Sequence, residues 1–220
     1  MKLYHYVHCP FCVRVRLALG LLEIPFESKV LSYADEETPK QLTGVKMLPI
    51  FDFGQGLAIN ESLDIIKRLD EKNQLKLELL ESSLFSELNA ELEELGKSIH
   101  NLAMPYWVWT PEFDEESRSY FVAKKSAKRG PFHLLLKKAD AEKKELVPKL
   151  WSLEEKLSPW YGGEAEMTIL DIMLAAHLWG LYIVPEFQFS SELHQYLQCV
   201  KEKCHFVYHA DFQHPEVFLK

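Results

Sequence analysis

The chain has 220 residues, 47% hydrophobic and 26% charged, with a formal net charge of -8. That length can bury the core of one large or two small domains. The negative balance argues against a nucleic-acid binder, which needs a basic face for phosphate. Four cysteines, two of them in one Cys-x-x-Cys, do not make the disulfide framework of a small secreted protein, so a reducing cytoplasm is expected.

The opening MKLYHYVH lacks the apolar run and small-residue cleavage site of a secretory signal and reads straight into a strand. Over the first seventy or so residues the periodicity switches repeatedly, as in an α/β unit. Lys2 to Val7 reads as a strand, Phe11 to Glu23 as a helix stopped near Ile24-Pro25, and Phe26 to Leu31 as extended. Thr38 to Thr43 predicts a short helix ending at Gly44, where a left-handed cap costs least. Met47 to Phe53 and Gly56 to Ile59 predict paired strands around a glycine-containing turn, and Ser62 to Glu71 a helix with Ile65, Ile66 and Leu69 on one side.

From about Leu84 the strand signals nearly vanish. Helices are expected over Leu84 to Met104, Glu115 to Lys128, Pro131 to Leu157, Thr168 to Val184 and Ser191 to Cys204. The tryptophans, at 107, 109, 151, 160 and 179, all lie here. The organisation expected is an α/β domain over 1–72, a linker over 73–83 and an all-helical domain over 84–220. The lysine-rich run from Lys124 to Lys144 carries no interleaved aromatic stacking pattern and reads as a solvated helix surface. Met167 to Pro185 approaches membrane-spanning length but contains Asp171 and His177 and has no polybasic flank, so a buried central helix is expected and no membrane association. Thr168 to Asp171, TILD, has the form of an N-capping box, with Met167 and Ile172 at the positions of a hydrophobic staple.

Cys9-Pro10-Phe11-Cys12 falls after the first strand and opens the first helix. A structural zinc site needs four ligands. Cys199 and Cys204 have no standard ligand spacing, and His205 with His209 reads as a histidine-containing helix end, so no metal is expected. Thiol chemistry fits better. The unsatisfied amides and positive dipole end of a helix favour a thiolate at Cys9, and Cys12, one turn on, can reach its sulfur. Pro10 lacks an amide proton that would have had no helical partner. Arg14 and Arg16 carry positive charge in the same helix. His8 reads as a solvated loop histidine. Cys199 and Cys204 read as buried residues on different faces of one helix.

A second constellation suggests the substrate. Pro49 at the start of a strand suits a cis bond and leaves the backbone of Leu48 to pair with an extended peptide. Ser62, after Glu61, opens a helix whose hydroxyl and amides suit a carboxylate. Together they describe a groove for a short acidic thiol peptide.

KLYHYVHCPFC, ETPKQLTGVKMLPI and ESLDI, followed by an all-helical half with its TILD box, resemble the thioredoxin-fold glutaredoxin and glutathione transferase superfamily. The resemblance is strongest to bacterial glutathione-transferase-like glutaredoxins. It implies a thioredoxin-like βαβ-ββα domain plus an all-α domain in glutathione-transferase-like architecture. It also implies a glutathione-dependent thiol–disulfide oxidoreductase that reduces glutathione mixed disulfides and protein disulfides. Cys9 is then the nucleophile and Cys12 the resolving thiol. Leu48 with Pro49 holds the cysteinyl backbone of glutathione, and Glu61 with Ser62 its γ-glutamyl end. Glutathione is a co-substrate, no cofactor is tightly bound, and the partners are glutathionylated or disulfide-containing proteins met by a monomer. The family's tyrosine at the third motif position is here Phe11. The rival readings are an omega-like glutathione transferase or dehydroascorbate reductase, which does not need Cys12, and a glutathione-ligated iron–sulfur cluster binder.

Overall fold

The computed structural model describes residues 1–157 and 166–207, with the side chains of 155–157 left out. Trp160 and His209 lie outside the described residues. The first half runs β1 (Lys2–His5), α1 (Pro10–Leu21), β2 (Glu27–Val30), α2 (Glu37–Thr43), β3 (Ile50–Gly54), β4 (Leu57–Ile59) and α3 (Ser62–Leu69). The four strands form one sheet in the order β2-β1-β3-β4. The β1–β2 pair is parallel and therefore needs a crossover, which α1 supplies, whereas β1–β3 and β3–β4 are antiparallel. Leu3 faces Phe51 across the β1–β3 ladder, and both are fully buried.

Helix α1 buries Val13, Val15, Leu17, Ala18 and Leu19. These positions leave no polar face because α1 packs against α3 within its own half and against the helix Ile169–Leu178 of the helical half. Its far end is tight: a methyl group on Gly20 would lie 1.7 Å from the carbonyl oxygen of Cys204. The glycine thus lets α1 touch the end of the last helix. As expected, α2 ends at Gly44, whose φ of 82° is the left-handed cap.

The second half contains α4 (Ser83–Trp107), α5 (Glu115–Arg129), α6 (Phe132–Leu157), α7 (Ile169–Leu178) and α8 (Ser191–Lys203). The stretch before it is ordered. Asp70 accepts from the amides of Gln74 and Leu75, both at 2.8 Å, and the amide of Ile169 donates to the Leu75 carbonyl at 2.8 Å. A short 3-10 turn (Leu77–Glu81) then leads into α4, with Leu80 buried beneath it.

Two expected boundaries move. Helix α4 passes through Pro105 and ends at Trp107, one turn beyond the expected stop. The apolar run from Met167 to Pro185 divides at Trp179 into α7 and a 3-10 turn (Trp179–Ile183), because uninterrupted hydrophobicity carries no period to separate the two helix types. Among the described residues no helix is long and apolar enough to cross a membrane.

The capping box forms. The Thr168 amide donates to Asp171 Oδ2 at 2.8 Å, and the Leu170 amide donates to the Thr168 hydroxyl at 3.3 Å. Asp171 is buried, and its other oxygen accepts from the Tyr196 hydroxyl of α8 at 2.7 Å, so one carboxylate both starts α7 and ties it to α8. Asp171→Ala removes the acceptor for the Thr168 amide and hydroxyl and for the Tyr196 hydroxyl. It is expected to lower stability by about 2–3 kcal/mol, a lost cap plus buried donors left short of an acceptor. Urea unfolding checks this as a fall in midpoint at unchanged slope; an unchanged midpoint would contradict it.

Candidate active site

Cys9 is the N-cap of α1, with extended backbone (φ -76°, ψ 119°), and its carbonyl accepts the Val13 amide at 2.9 Å. Pro10 is the first helical residue. The side chain of Cys9 is half-buried and that of Cys12 is fully buried; both are free thiols. The two thiols act on each other, and the effects on them are opposite. Donation from Cys12 lowers the Cys9 thiol to about 6, against the opposing effect of burial and with help from His8 and the amides of Cys12 and Phe11. Burial, followed by that donation and the charge on Cys9, pushes Cys12 well above the ordinary thiol range. The Tyr6 amide also points at the Cys12 sulfur, at 3.4 Å.

His8 is buried, not solvated as the sequence suggests. Glu112, in the segment between α4 and α5, receives its backbone amide at 3.2 Å and its ring Nδ1 at 2.5 Å. Burial works to raise the Glu112 carboxyl, but the hydrogen bond and charge of His8 win and hold it below the usual carboxylate range. The rings of Trp107 and Phe113 close around the imidazole at 5.0 and 5.3 Å. Burial of His8 depends on a partner 104 residues away, which no local pattern announces.

The other expected residues lie at the same end of the sheet. β1 leads out to Cys9 and its antiparallel partner β3 starts just after Pro49, with Tyr4 opposite Ile50. The Leu48–Pro49 bond is cis, and both residues are buried. Ser62 is the first residue of α3 and is buried; the N-cap is Glu61, which is exposed and sits at φ 70° with no side-chain cap bond. Arg14 connects this point to α1: its Nη1 donates to the Ser62 hydroxyl at 3.1 Å, and its guanidinium lies 5.1 Å from the Phe11 ring centre. Burial lowers Arg14 to about 10, with the Cys9 charge opposing. Arg16 instead covers the ring of Phe206.

Two members of the basic run are not solvated surface: Arg129 is half-buried and donates to Asn101 Oδ1 of α4 at 2.8 Å, and Lys125 faces the site. Lys125 is half-buried on α5 over the Phe121 ring, close enough for its charge to interact with Cys9. Burial of the phenylalanine one turn earlier draws the lysine stem inward.

The chain matches two family models end to end: a glutathione S-transferase N-terminal domain over residues 3–76 and a glutaredoxin 2 C-terminal domain over residues 83–208. It is 32% identical over 200 residues to glutaredoxin 2 of Escherichia coli K12, covering 89% of this chain and 92% of that one. This chain belongs to the glutaredoxin 2 family. Glutaredoxin 2 of Salmonella typhimurium, solved in complex with glutathione, superposes with a TM-score of 0.83 at 28% identity, over 96% of this chain and 97% of that one. A glutathione transferase from Phanerochaete chrysosporium shares the fold, with a TM-score of 0.73 at 16% identity over 94% and 97% of the two chains. The architecture is thus glutathione-transferase-like, a thioredoxin-like half followed by helices, and the chain is an enzyme of the glutaredoxin class.

In this glutaredoxin, Glu61 holds a backbone conformation that an L side chain adopts at a cost of order 1–3 kcal/mol, and its side chain gives α3 no cap in return. Glu61→Gly is expected to stabilise the protein by about 1 kcal/mol, the relief of strain less the extra entropy of glycine in the unfolded chain. Equilibrium urea unfolding reads this; a fall in stability would show that the Glu61 side chain contributes more to the fold than its strain costs.

Proposed function

We propose that Cys9 is the nucleophile of a glutathione-dependent thiol–disulfide oxidoreductase and Cys12 its resolving thiol. Leu48 with Pro49, and Glu61 with Ser62, then seat glutathione beside them. The observation that carries this is the placement of the pair at the mouth of α1, a half-buried Cys9 at the N-cap and a fully buried Cys12 one turn on, which lowers the first thiol to about 6 and raises the second.

The Cys9 thiolate attacks the glutathione sulfur of a mixed disulfide. The Cys9–glutathione bond forms as the substrate's disulfide breaks, and the departing thiolate takes a proton from water. The thiolate of a second glutathione then attacks the glutathione sulfur on Cys9, releasing oxidised glutathione and restoring the Cys9 thiolate. On a protein disulfide, Cys9 attacks first. Cys12 then loses its proton and displaces the substrate from Cys9, and the resulting internal disulfide is reduced by two glutathiones. Holding glutathione at both ends aligns its sulfur with Cys9, so much of the rate comes from orientation. Arg14 beneath Ser62 places a positive charge near the helix start where the γ-glutamyl carboxylate would dock.

An enclosed space behind His8 and Pro10, lined also by Trp107, His177 and Gly180, measures about 10 Å³, the space of one water. The four free thiols fit a reducing cytoplasm, and the proposed working unit is the single chain.

The test is a glutathionylated peptide assayed with Cys9→Ser and Cys12→Ser, alongside dehydroascorbate and chlorodinitrobenzene as alternative substrates. Cys9→Ser is expected to be inactive and Cys12→Ser to keep most activity on the peptide while losing reduction of protein disulfides. Equal activity of both variants, or faster turnover of either alternative substrate, would overturn the assignment.

A further inference from the structure

Glu112 is remote from the cysteines in sequence and belongs to the helical half, yet it is bound to the residue immediately before the nucleophile. One carboxylate oxygen takes both the backbone amide and the ring Nδ1 of His8, and the Glu112 carbonyl accepts the Tyr33 amide at 2.9 Å. Glu112 is 2% exposed and His8 8%, so this ion pair is shielded from solvent and salt. Stability alone does not explain such a pair, because desolvating two charges offsets most of their attraction. The arrangement does have a directional consequence: the carboxylate is bonded to one ring nitrogen of the imidazole, and the residue that carries the ring adjoins Cys9.

We infer that Glu112 and His8 are positioning residues for the thiol reaction. The helical half uses Glu112 to fix a cationic imidazole next to the Cys9 sulfur and to hold the β1–α1 loop that carries it. The proposal rests on Cys9 being the nucleophile.

Other titratable groups face the two sites. Around Cys9 lie Cys12 of α1, Tyr6 and Tyr33 of the first half, and two cations, Arg14 of α1 and Lys125 of α5. Around His8 lie Glu112, His100 and His177, and burial lowers His100 to about 3 and His177 to about 4, so those two rings stay neutral. His8 is set apart by adjoining Cys9 in the chain and by the carboxylate bonded to its ring.

The experiment follows the rate of Cys9 carbamidomethylation against pH, read at Cys9 by mass spectrometry, in the wild-type protein, His8→Asn, Glu112→Gln and the double variant. The carboxamide introduced by His8→Asn keeps a donor for Glu112 without the charge. Each single variant is expected to raise the Cys9 midpoint by about one pH unit, which is roughly a fivefold loss of alkylation rate at pH 6. The double variant is expected to move it little further, because both changes remove the same charge. Midpoints unmoved in His8→Asn, or shifts that add in the double variant, would overturn the inference. Should Glu112→Gln fail to fold, His8→Asn alone decides. A wild-type Cys9 with no low-pH midpoint would instead contradict the assignment of the nucleophile, so the two failures are distinct.

Discussion

A single proton between two sulfurs organises this molecule's chemistry. Cys12 is fully buried and keeps its proton, and by donating to Cys9 it makes ionisation of the outer sulfur favourable near neutral pH. Neither cysteine could do this alone. Burial by itself raises a thiol, and an N-cap sulfur without a donor has only the helix amides and dipole to hold its charge. Because the Cys9 thiol is lowered in the folded protein, its ionisation stabilises the reduced state. That contribution is fully present above the ordinary thiol range and is lost as pH falls through about 6. In the proposed cycle the same lowering makes Cys9 a good leaving group when a second glutathione attacks the glutathione sulfur bound to it.

The fold is arranged so that this pair does not move. Cys12 sits on the inward side of α1, and α1 is gripped by α3, by α7 and, at Gly20, by the end of α8. The helical half therefore completes the core of the first half and also sets the frame of the helix whose N-cap is Cys9. The Asp171 carboxylate, which starts α7 and holds α8, is the polar counterpart of that packing.

What was legible in the sequence was local. The Cys-x-x-Cys after a strand, the left-handed cap at Gly44 and the TILD box each compress a physical requirement into a few neighbouring residues, and each has the expected geometry. The α/β-then-helical order was readable from the change in periodicity. What stayed hidden needed a distant partner. His8 looked like a loop residue because Glu112 is invisible from its neighbourhood, and Lys125 looked like one lysine among many because only the buried face of α5 distinguishes it. A histidine directly before a reactive cysteine, and a Phe-x-x-x-Lys pair one turn apart, were the available signals. The break at Trp179 was unreadable for the opposite reason: from Ile169 to Leu181 every residue but His177 is buried, which offers little contrast from which to read a helix type.

The most direct test of the shared proton is an NMR titration following the Cβ shifts of Cys9 and Cys12 in reduced, cysteine-labelled protein. The account predicts that Cys9 titrates alone with a midpoint of about 6 while Cys12 remains protonated beyond pH 9.0. Two cysteines titrating together in the ordinary thiol range would contradict it.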